Sequence, residues 1–224
     1  MPGRPFGAAV FDMDGLLLDS ERPILDAWLQ AAREHVAPVD PQAYLQVVGR
    51  RGADGHALFR AALGPGFPFD AVRGRVQALL AEARQRDGHV LKPGVRALLA
   101  RLRAQRVPCA VASSTRRAEV EARLGSQGLL DSFDAFAGGD EVRDGKPAPD
   151  VYLLAAERLG VAAATCLAFE DSEHGAQAAL AAGMAVVVVP DLLRPGAALR
   201  AASLAVLGSL EDAHAHHRDW FGPA

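Results

Sequence analysis

Short apolar runs alternate with longer amphipathic stretches along most of this chain, and one long segment interrupts the alternation. Residues 8–11, 108–112, 165–169 and 185–189 are small, β-branched or aromatic at most positions, the pattern of strands buried on both faces. Weaker strand signals lie at 133–137 and 204–206. Helical periodicity predicts helices over 94–105, 116–124, 150–159, 173–182 and 210–217, the fourth stopped by Gly183, a natural C-cap. In 116–124 the charged residues are expected on the outer face. Strands alternating with helices predict a parallel sheet covered on both sides, an α/β, Rossmann-like, doubly wound architecture.

The interruption spans residues 19–90. Ser20 is placed to cap a helix, Glu21 suits its positive end, and Pro23 is tolerated in the first turn. Ile24, Trp28, Ala31 and Ala32 then recur with helical period, and further helical patterns run over 41–48, 53–63 and 69–86. A crossover between parallel strands needs only about a dozen residues, usually one helix. The segment therefore reads as a separate all-helical domain, 19–90, inserted into an α/β core made of 1–18 and 91–224.

Composition narrows the possibilities. The chain has 224 residues, half of them hydrophobic, with a formal net charge of −3, so no basic face is offered to nucleic acid. The longest apolar stretches, such as 185–189, are far too short to span a bilayer, and the N-terminus lacks the apolar core of a signal peptide. Cys109 and Cys166 both fall in predicted buried strands, so free thiols and a cytoplasmic location are expected. Monomer and homodimer both stay open. Among the basic residues, 22 arginines stand against two lysines, Lys92 and Lys146. Arg and Lys differ in geometry and hydration, which draws attention to the lysines that remain.

The candidate chemistry gathers at strand ends. Asp12-Met13-Asp14-Gly15 follows the first strand, Ser113-Ser114-Thr115 the 108–112 strand, and Glu170-Asp171-Ser172 the 165–169 strand. In a parallel sheet these ends share one edge, so distant positions converge on four carboxylates and hydroxyl groups. Close carboxylates repel unless a cation or proton is shared. Lys146, in a loop stiffened by Pro147 and Pro149, supplies one cation, and a hard divalent metal suits the remainder. There is no dinucleotide fingerprint and no Walker-type loop, and His214, His216 and His217 lack the spacing of a closed zinc site.

In the order and spacing of these motifs, the chain resembles the haloacid dehalogenase superfamily, in its phosphatase and phosphomutase branch with a helical cap. The resemblance rests on Asp12-Met13-Asp14-Gly15-Leu16-Leu17, Ser113, Lys146-Pro147 and Glu170-Asp171-Ser172. It implies that Asp12 is the nucleophile forming an aspartyl-phosphate and that Asp14 is the general acid/base. Ser113 and Lys146 would hold phosphoryl oxygens, with Ser114 also on the substrate. Mg²⁺ would be bound by Asp12, the backbone carbonyl of Asp14 and Asp171, with Glu170 a direct or water-mediated ligand.

The resemblance makes 19–90 a substrate-selecting cap. Within it Gly49-Arg50-Arg51-Gly52 is similar to a substrate-facing loop, so Arg50 and Arg51 are candidate substrate-binding residues; Glu21 and Arg22 are weaker ones. The implied activity is Mg²⁺-dependent hydrolysis of a small phosphorylated metabolite, such as a sugar phosphate. Sugar phosphomutases share the motifs but carry a histidine where this chain has Ile24, which favours the hydrolase over the mutase. A phospholigand binder without turnover is the third reading, disfavoured because it has no need of both nucleophile and acid/base.

Overall fold

The computed structural model describes residues 6–45 and 53–222. In chain order the main elements are β1 (Ala8–Phe11), α1 (Glu21–Glu34), α2 (Pro41–Leu45), α3 (Ala53–Leu63), α4 (Phe69–Asp87), α5 (Val95–Ala104), β2 (Cys109–Ala112), α6 (Arg117–Ser126), β3 (Ala135–Ala137), α7 (Asp150–Leu159), β4 (Cys166–Glu170), α8 (Glu173–Ala181), β5 (Ala185–Val188), α9 (Ala197–Ala202), β6 (Ala205–Val206) and α10 (Ala213–Phe221). Two compact units result: 1–18 with 91–224, and 19–90.

The first unit holds a six-stranded, all-parallel sheet in the order β3-β2-β1-β4-β5-β6. Side chains alternate across each strand, so β1 sends Ala9 and Phe11 to one face and Ala8 and Val10 to the other. The Phe11 face is bulky: Phe11 stacks on Phe169 at 4.8 Å, and α5, α6 and α10 close over it with Leu98, Leu124 and Trp220. The opposite face is built from small groups. Ala8, Ala110 and Ala168 meet Ala155 and Ala156 of α7 and Ala176 and Ala179 of α8, so helix backbones come close to the sheet.

Cys109 and Cys166 belong to opposite faces, which explains why both are free thiols. Burial pushes them up to about 12 and about 11, where they are inert neutral groups.

The helical unit has its own core. Trp28 of α1 meets Phe59 of α3 at 4.8 Å and Phe69 of α4 at 5.3 Å, and Tyr44 of α2 packs on Phe59 at 5.7 Å. Glu21 is buried there and accepts the Tyr44 hydroxyl at 2.9 Å. Among the described residues, no helix is long and apolar enough to cross a membrane.

Three local expectations are corrected. Ser20 precedes α1 but makes no side-chain cap, because its own backbone is helical (φ −105°, ψ −34°) and points the hydroxyl away from the first-turn amides. Phe133 lies outside β3, turned into the core against Phe11 at 6.1 Å. Glu170 is the last residue of β4 rather than a turn residue beyond it, paired with Val188 in the neighbouring strand.

Candidate active site

β1 ends in a tight apolar loop that leaves two carboxylates at the sheet edge. The amides of Leu17 and Leu18 both donate to the Met13 carbonyl, and Met13, Leu16, Leu17 and Leu18 are buried. This anchoring leaves Asp12 and Asp14 as the polar side chains of the loop. Gly15 sits at φ 87°, and a Cβ there would run into the Asp171 carboxylate. Glycine is required twice, once by dihedral and once by space. The same close approach places Asp171 against the Asp12–Asp14 turn.

Lys146 binds two carboxylates at once. Its Nζ lies 2.6 Å from Asp12 Oδ1 and 2.6 Å from Glu170 Oε1, and its side chain is only 6% exposed. It also lies over the ring of Tyr152, 4.8 Å from the centroid. Tyr152 donates its hydroxyl to Glu170 Oε1 at 2.8 Å, while Glu170 Oε2 accepts from the amides of Asp171 and Ser172 and from the Ser172 hydroxyl at 3.0–3.1 Å. Ser172 also caps α8 by accepting from the Gly175 amide. Side chains at 175 are excluded, since a Cβ would fall onto the Glu170 carboxylate.

Burial and charge oppose each other here. Burial pushes Asp12 up to about 7 against the pull of Lys146, helped by the negative charges of Glu170 and Asp14. Burial alone would raise Glu170 too, but the Lys146 charge and the surrounding donors win and hold it below its usual value. Burial would lower Lys146; the two carboxylates outweigh it and hold the ammonium above its usual value.

Asp14 has a different set of partners. Thr115 donates its hydroxyl to Oδ2 at 2.8 Å, and Arg123 donates from Nη1 to Oδ1 at 3.0 Å. Ser113 is buried one residue past β2, its Oγ accepting the Thr115 amide at 3.1 Å, whereas Ser114 is exposed.

The sheet thus brings together Asp12, Asp14, Ser113, Lys146, Glu170 and Asp171 at the carboxyl ends of β1, β2 and β4, with the 146 loop. Arg50 and Arg51 lie outside the described residues. Three participants escaped the sequence reading. In the sequence Thr115 reads only as part of the strand-end hydroxyl run, Tyr152 as a helix residue, and Arg123 as one of the charges expected on the outer face of 116–124. The correction for Arg123 is physical: its long stem carries the guanidinium from the flank of the α6 apolar stripe to a buried carboxylate.

A parallel sheet of this order, with an aspartate pair after its first strand and a buried lysine bridging that strand to β4, defines a class of α/β hydrolase. The family model for haloacid dehalogenase-like hydrolases matches residues 6–183, and the chain belongs to that family. It is an enzyme, a phosphoric monoester hydrolase. The chain is 34% identical over 179 residues to the phosphorylated carbohydrates phosphatase of Thermotoga maritima, covering 79% of this chain and 82% of that protein. It is 34% identical over 192 residues to the fructose-1-phosphate phosphatase YqaB of Escherichia coli, covering 82% and 96%. Among solved structures, a haloacid dehalogenase family hydrolase from Deinococcus radiodurans, crystallised with bound phosphate and sodium, is similar at TM-score 0.79 and 30% identity, covering 99% of this chain and all of that one.

Proposed function

We propose that this enzyme hydrolyses a small phosphorylated metabolite of the sugar-phosphate class through a phosphoryl group carried on Asp12. The observation that carries the reading is the contact of Lys146 with Asp12 at 2.6 Å, made by an ammonium that Glu170 holds in place. A cation fixed beside a nucleophilic carboxylate lowers the repulsion between two anions, the main obstacle to phosphoryl transfer.

Asp12 attacks phosphorus as the bond from phosphorus to the leaving oxygen breaks. Asp14 gives that oxygen its proton. A water molecule then attacks phosphorus, Asp14 takes back a proton, and inorganic phosphate leaves with Asp12 restored. Lys146 and Ser113 bind the phosphoryl oxygens during both steps, and the exposed Ser114 is assigned to the substrate.

The donor chemistry fits Mg²⁺. Four carboxylates, those of Asp12, Asp14, Glu170 and Asp171, face two cations, Lys146 and Arg123. Glu170 and Asp14 each have both oxygens engaged by protein donors. As the family resemblance implies, Asp12, Asp171 and the backbone carbonyl of Asp14 are the proposed holders, with Glu170, whose Oε1 already receives Lys146 and Tyr152, a direct or water-mediated ligand. Mg²⁺ keeps several waters and takes one or two carboxylates plus a substrate phosphate, a demand this donor set can meet. When bound, Mg²⁺ would supply charge stabilisation at the transferring phosphoryl group.

The 19–90 unit is assigned the choice of substrate, with Arg50 and Arg51 as candidate contacts. The relatives named for phosphorylated carbohydrates and fructose 1-phosphate support the substrate class. The test is phosphate release from a panel of sugar phosphates and other phosphomonoesters, with Mg²⁺ and after chelation, in the wild type and Asp12→Asn. Mg²⁺-dependent release lost in Asp12→Asn is expected; isomerisation without release would make the enzyme a mutase.

A further inference from the structure

We infer that Arg123 is a positioning residue for the acid/base carboxylate of Asp14, acting with Thr115 to fix that carboxylate from α6. The inference rests on the hydrolytic reading above and deepens it.

The geometry is a two-point clamp. Thr115 takes Oδ2 at 2.8 Å and Arg123 takes Oδ1 at 3.0 Å, so the carboxylate plane is tied at both oxygens. Each anchor is itself held. The Thr115 amide donates to Ser113 Oγ, fixing the threonine to the end of β2. Arg123 also binds Glu119 one turn back on α6, through its other terminal nitrogen, which fixes the guanidinium in orientation. The Asp14 side chain is 4% exposed and that of Arg123 15%, so water screens this pair far less than a surface pair. Arg123 is thus more than an outer-face partner of Glu119.

The clamp suits proton transfer. A carboxylate oxygen carries two lone pairs, so a donor at one leaves the other for proton exchange with the leaving oxygen or with water. A general acid works only when its oxygen is within hydrogen-bond reach of the atom it serves, and small misplacements cost large factors in rate. Arg123 does not touch the phosphoryl group in this scheme. It sets where Asp14 points.

The test compares phenyl phosphate with 4-nitrophenyl phosphate. The two have similar shape, but only the first leaves as a strongly basic oxygen that needs the proton. With Mg²⁺ present, kcat/KM and Tm are measured for the wild type, Arg123→Met and Arg123→Lys. Arg123→Met should lower kcat/KM on phenyl phosphate by about tenfold or more, a part of the ~10²–10⁴ a general acid supplies, and on 4-nitrophenyl phosphate by less than about threefold. Arg123→Lys, which restores a cation, should recover most of the phenyl phosphate rate. Equal losses on both substrates, or losses that follow Tm, would overturn the inference and leave Arg123 as a structural residue. Wild-type turnover of both substrates, abolished in Asp12→Asn, establishes the hydrolytic reading separately. If the wild type releases no phosphate, that reading falls and the inference falls with it; if it does and the variants respond in parallel, only the inference falls.

Discussion

Tyr152 donates its hydroxyl to the same Glu170 oxygen that receives Lys146, at 2.8 Å and 2.6 Å. A charge and a neutral donor therefore converge on one atom, and their removal should have unequal effects. Glu170→Gln takes away the negative charge that helps keep the ammonium in place, and kcat should fall about 100-fold or more, since breaking a buried ion pair is worth about 3–5 kcal/mol. Tyr152→Phe removes one neutral hydrogen bond, near 1 kcal/mol, and should lower kcat about fivefold. Steady-state kinetics of the two variants decide it. If Tyr152→Phe is as damaging as Glu170→Gln, the hydroxyl rather than the carboxylate places the lysine.

Lys92 binds Asp191 at 2.6 Å, with side-chain exposures of 15% and 2%. Both lysines of the chain thus lie in sheltered pairs with carboxylates, while the arginines carry most of the surface charge. Lys92→Met should leave the Asp191 carboxylate short of a partner and destabilise the fold by about 2 kcal/mol, between the values typical of exposed and buried pairs. Adding Asp191→Leu should recover much of that loss. Denaturant unfolding of the single and double variants measures both; a double variant no better than the single would show that Asp191 is held chiefly by its other surroundings.

Two glycines with positive φ separate backbone cost from crowding. Gly160, the C-cap of α7 at φ 68°, has open space where a Cβ would lie, whereas Gly15 has the Asp171 carboxylate. Gly160→Ala should cost about 1 kcal/mol, through the left-handed conformation alone, with activity intact. Gly15→Ala should cost more and also reduce phosphate release at least about tenfold, because it pushes Asp171 from the carboxylate edge. Chemical denaturation alongside kinetics distinguishes the two effects. Full activity in Gly15→Ala would remove Asp171's placement from the mechanism.

Glu141 is tied to Arg158 by two contacts of 2.8 Å, and this pairing holds its carboxyl down at about 2 from an ordinary value near 4.5. The sign follows: a carboxyl with depressed affinity for protons in the folded state stabilises that state above about pH 4.5, and the contribution is lost as pH falls towards about 2. Glu141→Gln should therefore lower stability at neutral pH and flatten its dependence on pH between about 4.5 and about 2, as read from thermal melts across that window. An unchanged slope would mean that the pair is screened by solvent at its exposed rim.

The α/β class was legible because the strands are buried on both faces and read as unbroken apolar runs, and because the intervening helices carry a clean period. The ends of those strands could be located to within a residue. Glu170 shows the limit: the carboxylates after Phe169 read as a turn, yet Glu170 completes β4, because its charge is answered by Lys146 and Tyr152. Arg123 shows another. It neighbours Leu124 and follows Val120 by three, so it lies at the flank of the buried stripe, where a long cation can turn outward or inward. Only the position of Asp14, in the loop after a strand more than a hundred residues earlier, decides. Tyr152 was hidden for the same reason, being one more aromatic on the core side of α7.

The alanine-lined side of the sheet has a consequence for how such an enzyme changes. With so little space between α7, α8 and the strands, there is scant slack through which Tyr152 or the turn at Gly175 could drift, and larger replacements at Ala155 or Ala176 would lever the props away from the lysine. Given the proposed role of residues 19–90 in choosing the substrate, variation that alters what the enzyme accepts should accumulate there, while the alanine side tolerates few exchanges.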